Sequence, residues 1–218
     1  MMKNYKYILF DLDGTVANSL VGVTNSFIYA LKKFGIIVKD RTELHRALGP
    51  PLMDTFAGYY GLLYEQAKQA IRFYGEYYEE KGFAEKEIYD GIIPLFEKLK
   101  LAGKVLIIAT AKQQEFAERD LEYFDIAKYF DCISGVTLDG RRINKNDVIA
   151  HAIEQCGISD TSNAVMIGDR KHDIFGAKKY GLDSIGVLYG YGSCKELEIA
   201  GADFIVETVE AIEKLLLR

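Results

Sequence analysis

The chain has 218 residues, with 27 Lys and Arg against 32 Asp and Glu and a formal net charge of −5. Its composition, 49% hydrophobic and 27% charged, excludes disorder as the main state. The weakly acidic balance argues against a nucleic-acid polymer as partner, because proteins that bind one carry a basic patch or stripe. No apolar run reaches the ~18 residues of a membrane helix, and the N-terminal apolar stretch runs directly into acidic residues. We therefore expect neither a membrane span nor a signal peptide.

The three cysteines, Cys132, Cys156 and Cys194, are far apart and form no CxxC pair. This pattern is typical of reduced thiols that pack in a cytoplasmic protein. Nothing in the sequence determines the oligomeric state, and we expect a monomer or a weak homodimer.

The predicted elements begin with a short apolar strand at 6–10, which is followed by a long helical region. Between about residues 16 and 89, apolar residues recur at spacings of three and four, which predicts helices over 20–34 and 64–81 and no clear strand. Seven of the fifteen tyrosines lie between Tyr59 and Tyr89. We interpret them as packing at a helix–helix seam rather than as a ligand-stacking surface.

After residue 103 the chain alternates short apolar runs with amphipathic stretches. The predicted strands are 104–109, 164–168, 184–188 and 203–206, and the predicted helices include 113–124, 147–155 and 207–217. Such alternation implies parallel strands covered by helices on both faces. The predicted fold class is α/β, a Rossmann-like parallel sheet core over 1–16 and 88–218 with an inserted all-helical domain over 17–87.

Two carboxylates follow the first strand, in the segment Asp11-Leu-Asp-Gly-Thr15. In open α/β sheets the ligand site lies just beyond such strand ends. Asp11 and Asp13 can share a divalent cation or divide into nucleophile and proton donor. Gly14 allows the sharp turn and the close backbone approach that a bound anion requires. Taken alone, the segment is explained about equally well as an acidic turn without function.

Three further features lie at predicted strand or helix ends. Thr110 ends a strand ahead of a predicted helix start, whose amides favour a phosphate group. Lys145 precedes a helix and can neutralise both a phosphate and a carboxylate cluster. Asp169 and Asp173 follow another strand, four residues apart. Taken alone, Thr110 and Lys145 are common surface or capping residues, but the shared placement of all these features at strand or helix edges predicts one site.

In this order, the motifs resemble those of the haloacid dehalogenase-type phosphatases, with a helical cap inserted between the first and second motifs. The resemblance covers nearly the whole chain. Within the family, residues 48–52, 168–177 and 185–192 resemble the phosphoglycolate phosphatase and 5′-nucleotidase-like branch. The resemblance implies a Mg²⁺-dependent phosphomonoester hydrolase acting on a small phosphorylated metabolite. Phosphoglycolate, a nucleoside monophosphate and a sugar phosphate all remain open as substrates.

The resemblance also implies roles for the acidic residues. Asp11 would attack phosphorus and become an aspartyl phosphate. Asp13 would protonate the leaving group and then take a proton from water, with its pKa raised by neighbouring acids. Mg²⁺ would be held by Asp11, the backbone carbonyl of Asp13 and Asp169. Asp173 would contribute to this metal site directly, or through water or Lys145.

Phosphoryl oxygens would be held, on the same resemblance, by residues of the first three motifs: Gly14, Thr110, the amide of Ala111, and Lys145. Ala111 stands where Ser or Asn is frequent in the family, so only its amide is available there.

In the cap, Arg46, Gly49 and Pro50 are candidate substrate contacts, because related enzymes use the cap in this way. A solvated helix face explains Arg46 equally well. We expect a supporting or surface role for His172, since Mg²⁺ prefers oxygen ligands.

Two alternatives stay open. A phosphomutase similar to β-phosphoglucomutase uses the same four motifs and a similar cap. From a different class, a receiver-like signalling module also places Asp, Thr and Lys around Mg²⁺. Such a module is about half this length and would not need the helical insert.

Overall fold

The computed structural model describes residues 3–48 and 50–217, without the side chain of Arg46. In chain order its strands are β1 (Tyr7–Phe10), β2 (Ala17–Asn18), β3 (Glu87–Ile88), β4 (Val105–Gln113), β5 (Cys132–Val136), β6 (Ala164–Gly168), β7 (Asp183–Val187) and β8 (Phe204–Val206). Its α-helices are α1 (Leu20–Lys32), α2 (Tyr64–Glu80), α3 (Ile92–Leu101), α4 (Gln114–Tyr123), α5 (Lys145–Gln155), α6 (Lys171–Lys179), α7 (Cys194–Ala200) and α8 (Val209–Leu216). Within these described ranges, none of the helices has the length and apolar character needed to cross a bilayer.

The described residues fold into two compact units. The first comprises the chain up to Ala17 together with the chain from Ile88 onward, and the second comprises Asn18–Glu87. The short strands β2 and β3 pair with each other where the chain passes between the units. The role of the second unit as a substrate-recognising cap stays a prediction.

A six-stranded sheet with the order β5-β4-β1-β6-β7-β8 forms the centre of the first unit. Every neighbouring pair of strands is parallel, so the predicted α/β class is confirmed. Strand β1 lies in the middle, with Phe10 in register with Ile108 of β4 and with Ile167 of β6. The residues that directly follow these strands therefore meet at one edge of the sheet.

Helices cover both faces of this sheet because its strands are apolar on both sides. Ile8 and Phe10 lie in one buried cluster with residues of α3, α4 and α8, including Phe96, whose ring centroid is 5.2 Å from that of Phe10. Leu9 lies in the cluster on the opposite face, with residues of α5 and α6 such as Ile149. Strand β1 is thus packed on both faces just before the carboxylates that follow it.

The second unit is built on α1, α2 and short helical turns between them. Phe27 of α1 packs against Tyr74 of α2 with ring centroids 5.0 Å apart, and Tyr74 stacks on Tyr78 at 6.0 Å. Both tyrosines are buried, in agreement with the predicted packing role, whereas Tyr64 is exposed. A Cβ at Gly22 would collide with the carbonyl of Gly82, so glycine allows this close approach.

Three details of the predicted elements were wrong. The region 16–89, where no clear strand was predicted, contains the paired strands β2 and β3. Each of these strands is two residues long, which is too short for a hydrophobic pattern to reveal. Strand β5 was missed because Cys132-Ile-Ser-Gly-Val136 carries small and polar residues. Strand β4 runs on to Gln113, and α4 begins only at Gln114. The amides after Thr110 therefore belong to a strand, not to a helix start.

Candidate active site

Lys145 is the centre of a buried charge cluster at the carboxyl edge of the sheet. Its Nζ lies 2.8 Å from Asp11 Oδ1 and 2.7 Å from Asp173 Oδ1, and it donates to the carbonyl of Ala109 at 2.9 Å. The side chain of Asn144 caps α5 and so holds the first turn that carries Lys145. Burial disfavours the ammonium, but the two carboxylates outweigh it and raise the pKa of Lys145. The lysine is a permanent cation.

Asp11 follows β1 and is 6% exposed. Its Oδ1 also accepts the amide hydrogen of Leu12 at 2.8 Å, and Thr110 provides a side-chain hydrogen bond. Burial raises the pKa of Asp11 to about 6; Asp173 adds to the rise, and Lys145 opposes it. A bound cation facing this carboxylate would favour its charged, nucleophilic form.

Asp169 follows β6 and is fully buried. Its Oδ2 accepts the Tyr191 amide at 2.7 Å, while its buried Oδ1 has no hydrogen-bond partner among the described residues. Burial and the neighbouring Asp173 and Asp11 raise the pKa of Asp169 well above its ordinary value. A buried carboxylate oxygen without a partner is costly, and a bound cation would satisfy it.

Glycines surround Asp169. Gly14 has a positive φ of 82°, and a Cβ there would overlap the Asp169 carboxylate. A Cβ at Gly190 would collide with the carbonyl of Gly14 and with Asp169, and one at Gly192 with the backbone of Asp169. These positions are glycine because the turn after β1 and the loop after β7 close tightly on one carboxylate.

Asp173 lies in the first turn of α6. Its Oδ2 accepts the Arg170 amide at 3.0 Å, and its Oδ1 is paired with Lys145. Carboxylate oxygens of Asp11, Asp169 and Asp173 all lie within 4.8 Å of one another. This oxygen-only set, with an unsatisfied oxygen on Asp169, fits a hard divalent cation such as Mg²⁺.

Asp13 is paired with a residue that sequence reasoning missed. Lys112 Nζ lies 2.9 and 3.1 Å from the two carboxylate oxygens of Asp13 and 2.7 Å from Asp120 Oδ2. We expected acidic neighbours for Asp13, and the structure places an ammonium beside it. Lys112 lies two residues after Thr110, so continuing the predicted strand by one alternation would have placed both on one face.

Thr110 and Ala111 lie in a part of β4 where the pairing register with β5 shifts, between Ala109 and Gln113. The Lys112 amide donates to Thr110 Oγ1 at 3.2 Å. The expected phosphate contacts of Thr110 and of the Ala111 amide remain predictions, but the helix dipole that we expected behind them is absent at this point of the chain.

The remaining candidates are less informative. Burial first, and then the cations Lys171 and Arg170, lower the pKa of His172. A neutral, half-buried imidazole fits the supporting role that we predicted. Pro50 is half-buried in the second unit. Gly49 and the side chain of Arg46 lie outside the described residues, so all three cap contacts stay predictions.

A family model described as haloacid dehalogenase-like hydrolase matches residues 8–187. The chain belongs to this family. A 5′-nucleotidase of Pseudomonas aeruginosa is 39% identical over 193 residues, which cover 88% of this chain and 87% of that protein. The solved structure of a predicted phosphatase from Clostridium acetobutylicum is 46% identical, with a TM-score of 0.94 over 98% of both chains.

The tyrosine-protein kinase PtkA of Mycobacterium tuberculosis is 38% identical over 201 residues, which cover 92% of this chain. They cover 65% of that protein, so this chain spans less than two thirds of its length. The family match, the 5′-nucleotidase relative and the solved phosphatase structure confirm the predictions of the family, of its fold and of a hydrolytic enzyme.

Proposed function

We propose that this haloacid dehalogenase-like hydrolase is a Mg²⁺-dependent phosphatase of a small phosphorylated metabolite that acts through an aspartyl phosphate on Asp11. Phosphatase action at the level of the family is supported by the family match and by the names of its relatives. The observation that carries the finer proposal is the buried group of Asp11, Lys145 and Asp169. It combines a nucleophile held by a cation with an unsatisfied carboxylate oxygen.

Asp11 supplies the nucleophile in the first step. One of its carboxylate oxygens forms a bond to phosphorus, the bond from phosphorus to the ester oxygen breaks, and Asp13 gives its proton to that oxygen. Lys145 offsets the negative charge on Asp11 and on the phosphoryl group, and Thr110 would bind a phosphoryl oxygen.

Hydrolysis of the aspartyl phosphate completes the reaction. A water oxygen bonds to phosphorus while its proton passes to Asp13, and the bond between phosphorus and Asp11 breaks, which releases inorganic phosphate. Asp11, the backbone carbonyl of Asp13, Asp169 and, directly or through its pairing with Lys145, Asp173 would hold Mg²⁺. The ion would supply charge neutralisation and orientation, which phosphoryl transfer chiefly requires.

A phosphate-release screen over metabolite monophosphates tests the proposal, with nucleoside 5′-monophosphates first because of the name of the Pseudomonas relative. We expect turnover that requires Mg²⁺ and stops with excess chelator. Asp11→Asn should lower kcat at least ~10⁴-fold, because the covalent route is lost. Undiminished turnover in chelator would contradict the metal assignment.

The same screen separates the alternatives. Phosphate transfer between positions of a sugar bisphosphate, without release, would indicate a phosphomutase. A stable aspartyl phosphate without turnover would indicate a receiver-like module. Location in the cytoplasm and a monomeric or weakly dimeric state stay predictions.

A further inference from the structure

Lys112 and Asp120 form a buried charge pair that has no role in the reaction steps proposed above. The Lys112 side chain is 8% exposed and that of Asp120 is fully buried. Asp120 lies on α4 between Ala117 and Leu121, two buried residues of the core. Removing two charges from water costs desolvation free energy that their mutual attraction often does not repay. The presence of this buried pair beside Asp13 therefore calls for an explanation.

The pair is connected to Asp13 through directed contacts. The Lys112 ammonium approaches both oxygens of Asp13, at 2.9 and 3.1 Å, and Asp120 Oδ2 at 2.7 Å. The amide of Lys112 donates to Thr110, which anchors its backbone as well. A contact to both oxygens defines the plane of the Asp13 carboxyl group. The Asp13 side chain is 27% exposed, so the contact with Lys112 narrows the set of rotamers that it can adopt.

We propose that Lys112, anchored by Asp120, is a positioning residue that holds the carboxyl group of Asp13 in place for proton transfer. The proposal rests on the proposed function, in which Asp13 exchanges a proton in both steps. A general acid or base must lie within hydrogen-bond reach of the proton that it moves. A role for Lys112 in binding the substrate phosphate is disfavoured, because two carboxylates already neutralise its charge.

The test compares two substrates that differ in their need for a proton. An alkyl phosphate needs proton donation to its leaving oxygen, whereas a nitrophenyl phosphate does not. Lys112→Met should lower kcat for the alkyl phosphate at least about tenfold, with KM changed less than about twofold. With the nitrophenyl phosphate, Lys112→Met should keep the rate of the first step, because this leaving group needs no proton. Hydrolysis of the aspartyl phosphate should slow, because it still needs Asp13 as a base. The variant should then show a burst of nitrophenol and accumulate the phosphorylated protein, measured by intact-mass spectrometry after acid quench.

Lys112→Met leaves Asp120 buried without its cation, so folding needs a second variant. The double variant Lys112→Met/Asp120→Asn removes both charges and should show the same burst and phosphoprotein. Lys112→Arg keeps a cation that can contact both oxygens of Asp13, and should recover most of kcat. Lys98→Met, which removes an exposed lysine paired with Glu213 at 2.8 Å, is the matched control and should behave as the wild type.

The outcomes separate the hypotheses. A rise in KM with unchanged kcat would assign Lys112 to substrate binding and overturn the proposal. A loss of kcat that is equal for both substrates, without phosphoprotein and without recovery in Lys112→Arg, would show a structural role and also overturn it. Failure of the proposed function itself is visible in the wild type, which would release no phosphate from either ester.

Discussion

At the scale of single residues, the site is organised by which carboxylate oxygens are satisfied and which are not. Asp173 Oδ2 accepts the amide of Arg170, and its Oδ1 is ion-paired with Lys145, although it makes no hydrogen bond among the described residues. Asp169 uses one oxygen and keeps the other unsatisfied. Three identical side chains within 4.8 Å of one another therefore differ in their proposed roles: Asp11 is nucleophile and cation ligand, Asp169 is a cation ligand, and Asp173 supports the cation directly or through Lys145.

Gly190→Ala tests the placement of Asp169. The added Cβ would collide with the carbonyl of Gly14 and with Asp169, and a displacement of about 1 Å in such a site costs ~10²-fold in rate. We expect kcat to fall about 10²-fold and the Mg²⁺ concentration for half-maximal activity to rise, both measured by Mg²⁺ titration of phosphate release.

The matched control is Gly75→Ala. Gly75 lies inside α2, and a Cβ there meets nothing within 4 Å. Removing a helical glycine should stabilise the protein by about 0.5–1 kcal/mol without changing Mg²⁺ dependence. Wild-type Mg²⁺ dependence in Gly190→Ala would show that Asp169 is not held by this contact.

At the scale of elements, the loop between β6 and α6 is fastened to α7. Arg170 Nε donates to Glu196 Oε1 at 3.0 Å, and the Lys171 amide donates to the same oxygen at 3.0 Å. Ser193 caps α7 by accepting the Glu196 amide. The start of one helix thus holds the start of another, and with it the loop that carries Asp169.

Glu196→Gln should reveal this contact as a pH-dependent loss of stability. Burial opposes the charge on Glu196, but the Lys171 amide and Arg170 outweigh burial and hold its pKa below its ordinary value of 4.5. A carboxylate with a lowered pKa in the folded state stabilises it above the unfolded pKa and loses that effect as pH falls. The free energy of unfolding of the wild type should therefore exceed that of the variant by about 1 kcal/mol at neutral pH. This difference should shrink below pH 4.5.

Urea unfolding at neutral pH and at about pH 3.5 measures this difference. Glu198→Gln, at an exposed position of the same helix, is the control and should lie within ~0.5 kcal/mol of the wild type at both pH values. A difference between wild type and Glu196→Gln that grows as pH falls would contradict the assignment.

At the scale of the whole molecule, we propose that catalysis and substrate recognition belong to different units. Asp11, Lys145, Asp169 and Asp173 all belong to the first unit, whereas the candidate contacts Arg46, Gly49 and Pro50 fall within 18–87. The first unit has its own sheet and buried clusters on both faces. It meets the usual description of an independent domain.

Replacing residues 17–88 by a short Gly-Ser linker tests this division. The Tyr89 amide donates to the Val16 carbonyl at 3.2 Å, so the ends to be joined are already neighbours. We expect a folded protein by circular dichroism that still hydrolyses a small aryl phosphate with Mg²⁺. Its kcat/KM values over a metabolite panel should become nearly equal. Selectivity matching that of the full chain would refute the cap role.

Sequence reasoning reached the order of the motifs and the parallel α/β core, because these depend on local periodicity and on strand ends. The family could also be predicted from the sequence, because its four motifs lie at the ends of these strands and helices. It missed β5, whose small and polar residues carry no periodic signal, and it ended β4 too early. The second error hid Lys112.

The sequence by itself determined which residues meet at the sheet edge, because parallel strands bring their carboxyl ends to the same edge for any conformation of the connecting loops. Only the tertiary structure decided how the charges pair. Lys145 takes Asp11 and Asp173, while Lys112 takes Asp13 and Asp120. Such pairing depends on ångström distances and on burial between segments that are far apart in the chain, 99 residues for Asp13 and Lys112, and no local pattern encodes these distances. The same physics left one oxygen of Asp169 unsatisfied, at the point where we propose that the cation binds.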